Sequence, residues 1–373
     1  MMFSLFARRR NGKNRASGEQ APSLSKLSLE ALSYPSGARA FWGEGISLEV
    51  YDEMLTDPLI RAALTIKKLG TLAVPWRILP YDESPASRER REFIQYVFAE
   101  MTGSPEQILF DAMDALAKGY AVMEKIYVPD EGRFRGKVRL GSVKPKDPAL
   151  FGFEVDEFLN LRALTLHLPG EAPRRLPREK FVIYAHNRRY GAPTGESDLK
   201  SVYRSWCIKR ELIKQWSAHL EKFASPTVLG KFKRGLPEEA QRELLNALQR
   251  IQRQSAVVHP DDIEVRLLEG GSEGRGAYLE AIEYHNREIA RAILGGTLTT
   301  DDSRKVGSLA LGKVHLQVLV MQLAGLRRAL AEQVMNEQII RPLIDINYGG
   351  GHYPVFAFDE PDLDVFRTGQ VVS

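Results

Sequence analysis

The sequence predicts an α+β fold. Apolar residues follow helical and strand periods in turn through the first half, two long helical patterns bracket a short mixed segment, and a polar loop then leads into a third long helix. The 373 residues suffice for two or three domains, and 43% hydrophobic with 27% charged residues is the balance of a soluble globular protein. A net charge of +4 is compatible with a polyanionic partner without requiring one.

Residues 1–40, rich in Arg, Lys, Ser, Gly and Pro, read as a mobile basic arm. Ser47 is an N-cap for a short helix, and Asp57-Pro58 starts a second helix to Leu69 whose expected apolar stripe is Leu59, Ala62, Ala63, Ile66 and Leu69. Val74–Leu79 reads as a strand held to an edge by Pro75. Helices over Ser87–Met101 and Ser104–Gly119 precede a hairpin of Ala121–Val128 and Gly136–Ser142 turning at Asp130–Gly132. Strand patterns continue at Phe151–Val155, Leu161–Leu168 and Phe181–Tyr184.

Asp198–Ala224 has apolar positions stepping by three and four (Leu199, Val202, Trp206, Ile213, Trp216, Leu220, Phe223), broken only by Lys209. Ser225-Pro226 ends it. A compact insertion follows: strand Thr227–Phe232, helix Pro237–Gln254, strands Ala256–His259 and Ile263–Leu268, and a Gly270–Gly274 linker into helix Ala277–Leu294. The last helix is expected over Leu309–Asn347, bending near Gly312 and Gly325 and disturbed by Pro342, with a strand possible in His352–Phe358.

Chemistry-bearing motifs are sparse. GSLALGKV (307–314) places Gly307, Gly312 and Lys313 in register with a phosphate-binding loop, but Val314 stands where Ser or Thr would ligate magnesium, and no strand precedes it. Asp261-Asp262 and Asp301-Asp302 fit turns better than a two-metal site. The seven histidines lack metal-ligand spacing, and the single Cys207 excludes a disulfide framework and reads as a packing residue. No cofactor is expected. The opening is not a secretory signal, no run spans a membrane, and the protein is expected in a reducing cytosol. Basic clusters at Lys231, Lys233 and Arg234, at Arg188-Arg189 and at Arg304-Lys305 suit sequence-independent contact with a polyanion.

Several stretches together carry a resemblance: YDEM (51–54), DPLIRAA (57–63) and VPWRI (74–78); RRYGAPTG (188–195) and EKFASPTVLGK (221–231); EIARAILGGTLTTD (288–301) and Val314-His315. In order and spacing the chain resembles the portal proteins of tailed phages, specifically the Mu-type portal family. The resemblance implies a non-enzymatic ring, usually a dodecamer, at one capsid vertex, which passes double-stranded DNA during packaging and ejection. It implies a portal fold: an α/β wing at 41–195, stem helices at 196–224 and 271–294, a small α/β clip at 225–270 and a tunnel loop at 295–308. A long wing/crown helix would occupy 309–347 and a tail 348–373, with the crown short or absent.

On that footing Thr297, Thr299, Thr300, Asp301, Asp302, Arg304 and Lys305 would line the DNA channel. Lys231, Lys233 and Arg234 would contact DNA or terminase at the clip, and Trp206 and Trp216 would anchor subunit contacts. Implied partners are the terminase large subunit, head–tail connector proteins and the major capsid or scaffold protein. The ring would be assembled in the host cytoplasm and reside in the virion. Two alternatives stay open at this point: a P-loop-like nucleotidase or nuclease, and a monomeric nucleic-acid-binding protein.

Overall fold

The computed structural model describes residues 46–158, 160–189, 192–224, 227–231, 237–251, 264–268, 273–296 and 309–359. The arm 1–40, the strand expected at Ala256–His259 and the loop 297–308 lie outside the described residues. The chain divides into two compact units: among the described residues, 46–204 with 287–359 form the first and 205–286 the second.

In the first unit, α1 (Leu48–Met54), α2 (Pro58–Leu72), β1 (Trp76–Leu79), α3 (Pro85–Glu100), α4 (Pro105–Ala112) and α5 (Ala115–Lys118) come first. Three of these helices start by one device. Asp57, Ser84 and Ser104 each accept a backbone N–H of the first turn, and a proline with no N–H to lose follows each. The helix expected over Ser104–Gly119 is in fact two. Between them the backbone tightens, with the Asp114 N–H bonding to Asp111 O, and the Asp114 carboxylate meets Lys68 Nζ at 2.7 Å.

The apolar stripe expected on α2 is rotated. The buried residues are Ile60, Ala63, Leu64, Lys67 and Thr71, while Leu69 is 58% exposed. A lysine lies at the centre of the buried face, so a search for apolar side chains selects the neighbouring one.

Strands β2 (Tyr120–Pro129), β3 (Val138–Lys146) and β7 (Phe181–Ala185) form one antiparallel sheet in the order β3-β2-β7. A second, β4-β5-β6, comprises Phe151–Val155, Leu161–Leu166 and Arg174–Pro177. The arginine-rich β6 has no apolar alternation and gave no strand signal in the sequence. The two sheets share a core of Tyr120, Val122, Phe151, Leu164 and Phe181. β10 (Val355–Phe358) pairs antiparallel with β1, placing Phe356 opposite Ile78 and stacking its ring on Trp76.

Helix α6 (Leu199–Ala224) and helix α8 (Glu273–Leu294) each contain a boundary between the units. α8 begins inside the expected Gly270–Gly274 linker. In the second unit β8 (Thr227–Lys231) and β9 (Glu264–Leu268) form an antiparallel pair, Lys231 opposite Glu264, with α7 (Glu238–Ile251) against β8. Cys207 is buried, as expected, and so is Lys209, the apparent break in the stripe.

The final helix departs from the bends expected of it. α9 (Leu309–Ala329) passes through Gly312 and Gly325 as helix, and the irregular stretch is a π-helical segment, Leu330–Ile340, leading into α10 (Arg341–Tyr348). Buried residues occur in pairs: Leu330-Ala331, Val334-Met335, Ile339-Ile340. The second step is five residues, which the wider turn accommodates on one face.

Amide side chains from this stretch clamp three strand edges. Asn336 Oδ1 accepts from Phe356 N at 2.7 Å and its Nδ2 donates to Phe356 O at 3.1 Å. Gln338 does the same to Ile183 of β7, both at 2.8 Å, and Asn347 to Val138 of β3, both at 2.7 Å. Each amide completes the edge of a strand as a neighbouring strand would. Pro342 explains one more contact. It has no N–H to offer the Gln338 carbonyl one turn back, and the buried Lys125 ammonium donates to that oxygen at 2.7 Å. Burial pushes the Lys125 amine down to about 8.

Two outcomes are expected. Gln338→Leu strands both polar groups of Ile183 and should cost about 2–4 kcal/mol in urea unfolding, whereas the exposed Glu337→Gln should stay within about 0.5 kcal/mol. Lysine-selective NMR should show one amine titrating near 8 that vanishes in Lys125→Met. Because the unfolded chain holds this proton more tightly, the group adds stability as pH rises from about 8 towards 10.5.

Candidate functional site

The base of the polar loop is the first candidate. α8 ends at Leu294, and Gly295 takes φ +74°, a left-handed conformation that favours glycine, while its N–H closes on Arg291 O at 2.9 Å. A Cβ at Gly295 would lie 2.9 Å from Val318 Cγ1 and from Gln322 Nε2, and one at Gly296 would lie 2.9 Å from His315 Cβ. The glycine pair therefore lets the end of α8 press against α9. The sequence reading assigned these glycines to a polar loop and missed this. Their adjacency at a helix end was the available signal.

A buried charged group holds the start of α6. Lys67 Nζ of α2 meets Asp198 Oδ2 at 2.6 Å, and His186 Nε2, just past β7, meets Asp198 Oδ1 at 3.0 Å. Burial alone would raise the Asp198 carboxyl. The His186 hydrogen bond and the Lys67 charge outweigh it and hold the carboxyl below its usual range. Around this group Ser197 Oγ donates to Ala117 O, Asp198 N to Leu116 O at 2.9 Å, and Glu196 N to His186 O at 2.7 Å. Gly195 sits so close that a Cβ would fall 1.9 Å from His186 O and 2.4 Å from Gly119 O. The glycine of the APTG stretch is thus required by backbone approach. A cleft of about 570 Å³ opens beside this group, lined by Lys67, Tyr184, His186, Arg188, Gln322 and Gln333.

Among the residues singled out in the sequence, Thr297, Thr299, Thr300, Asp301, Asp302, Arg304 and Lys305 lie outside the described residues, as do Lys233, Arg234 and Asp261-Asp262. Lys231 closes β8. Trp206 is only 3% exposed, with the Arg210 guanidinium 5.1 Å over its ring, so it has little surface to give a second subunit. Trp216 is half-buried, and its Nε1 has no hydrogen-bond partner among the described residues.

The near phosphate-loop resolves differently from its motif. Gly312 and Lys313 are already within α9 and not at its first residue, while Gly307 lies outside the described residues. No cluster of three or more metal-binding side chains occurs among the described residues, and no helix is long and apolar enough to cross a membrane.

The described residues thus comprise an α+β body and two long helices with a small α/β unit between them in sequence. A chain from the neck of a native gene transfer agent particle, solved with C12 symmetry, superposes with a TM-score of 0.55, covering 83% of both chains at 14% identity. The chain belongs to the family described as the portal protein of Mu bacteriophage, which matches residues 48–371. Its relatives include the Mu-like prophage FluMu protein gp29 of Haemophilus influenzae, 26% identical over 84% of this chain and 60% of that protein. The portal protein of Escherichia phage Mu is also 26% identical, over 80% of this chain and 56% of its own length. The chain thus spans somewhat over half the length of these curated relatives.

Asp198→Asn should leave Lys67 buried without its counter-charge and cost about 3–5 kcal/mol in equilibrium unfolding at neutral pH. In the wild type this contribution should be complete above the ordinary carboxylate value of 3.8 and fade as pH falls through the lowered folded-state value; the variant should lack that acid-side transition.

Proposed function

We propose that the chain assembles into a ring at one capsid vertex and forms the channel through which double-stranded DNA enters and leaves. The observation that carries this is membership of the Mu portal family over residues 48–371. The matched fold of a neck chain solved with C12 symmetry supports it and favours a dodecamer. The first unit would supply the wing, α6 and α8 the stem, and the β8–α7–β9 unit the clip. The segment 295–308, which leaves α8 at Gly295 and Gly296, would narrow the channel.

A ring of this kind does no covalent chemistry. DNA must slide, so its contacts must be weak and blind to sequence. Thr297, Thr299 and Thr300 offer little charge to trap a phosphate, while Arg304 and Lys305 would attract the backbone and Asp301 and Asp302 repel it. Lys231, Lys233 and Arg234 at the clip would meet terminase during packaging and connector proteins afterwards, and the outer wing would meet capsid or scaffold protein. Trp216 is the better of the two tryptophans for a subunit contact.

Negative-stain microscopy of the purified chain should show rings with a central hole, and persistent monomers at high concentration would overturn the proposal. ATPase and nuclease assays should find no turnover. Robust turnover lost on Lys313→Ala would return the assignment to a nucleotidase.

A further inference from the structure

Between Lys313 and Arg327 the helix α9 carries no Asp, Glu, Lys or Arg: residues 314–326 read VHLQVLVMQLAGL. One side of it is accounted for within the chain. Leu319, Leu323 and Leu326 are buried, Leu323 packs close over Gly70 of α2, and Arg327 Nη1 donates to Gly70 O at 3.2 Å. The opposite side is not polar either. Val314 is 52% exposed and Met321 73%, Val318 at 37% borders the contact with Gly295, and the stripe runs on to an exposed Gly325 with open space above it. The spacing i, i+4, i+7, i+11 sets these on one face, and a helix apolar on both faces belongs inside an assembly.

We infer that this stripe is a contact surface between subunits, and that its occupant is a second copy of the same chain. The inference rests on the ring proposed above and names one of its faces. Nucleic acid is a poor occupant because the run 314–326 has no cation to meet phosphate, and a single exposed arginine, Arg328, closes the stripe at its far end. A partner that comes and goes needs a face that tolerates water, whereas Met321 and its neighbours have no interspersed charge to provide one. A head-to-tail ring buries the same face at every position and requires a different face on each copy to receive it. The chain has such a face: Leu79 and Val355, opposite each other in the β1–β10 ladder, are 38% and 42% exposed beside Tyr81 at 64%.

The test uses the full chain with Met321→Glu and, separately, Met321→Cys. Met321→Glu should retain the wild-type circular dichroism and melting temperature, yet remain monomeric by mass photometry at concentrations where the wild type forms rings. Rings from Met321→Glu at wild-type concentration would overturn the inference. In Met321→Cys the introduced thiol should react with maleimide severalfold more slowly in isolated rings than in monomers; equal rates, or protection already in the monomer, would overturn it. Rings with a reactive thiol remove only the α9 contact, whereas a wild type that never forms rings removes the ring proposal and this inference together.

Discussion

The first unit depends on satisfying the open edges of short sheets. β3 and β7 flank a three-stranded sheet, and β10 belongs to a two-stranded one, so each leaves backbone N–H and C=O groups without a strand partner on one side. Asn336, Gln338 and Asn347 supply those partners from a single stretch of helix, each bonding to both polar groups of one residue. A regular α-helix would turn Asn336 and Gln338 differently relative to the buried pairs on either side of them. The π-helical widening lets the apolar pairs and the amides face their targets together. Pro342 and Lys125 belong to the same arrangement, the ammonium replacing the N–H that the proline lacks.

Buried charge has a comparable role at the start of α6. Lys67, Asp198 and His186 come from a helix, a helix start and a strand end, and their mutual contacts fix where the long helix begins. Such groups add little net stability over an apolar replacement, but their geometry admits few alternatives. Gly119 and Gly195 bring the backbones into contact beside them, in a space no other residue would fit.

Much of the architecture was legible because it rests on local chemistry. The helix starts at Asp57-Pro58 and Ser104, the β2–β3 hairpin, the long α6 and the late strand β10 follow from caps, turns and periodicity, whereas the Ser84-Pro85 start lies three residues before the expected Ser87. The helical placement of Gly312, Lys313 and Val314 within α9 was also legible. The candidate site was less legible. Lys67 and Lys209 are buried, and hydrophobic periodicity passes over a lysine such as Lys67, whose counter-charge lies far away in sequence. β6 lacked any alternation, and the π segment left no mark that distinguishes it from an α-helix.

By itself the sequence determined the α+β class, the order of most elements and the family, because these depend on neighbouring residues and on motif order. Only the tertiary structure decided which face of α2 is buried, which strands the three amides complete, why Gly195, Gly295 and Gly296 must be glycine, and that Val314 and Met321 of α9 are exposed among the described residues. Each of these is a contact between residues distant in sequence, and its energy exists only once the backbones have met.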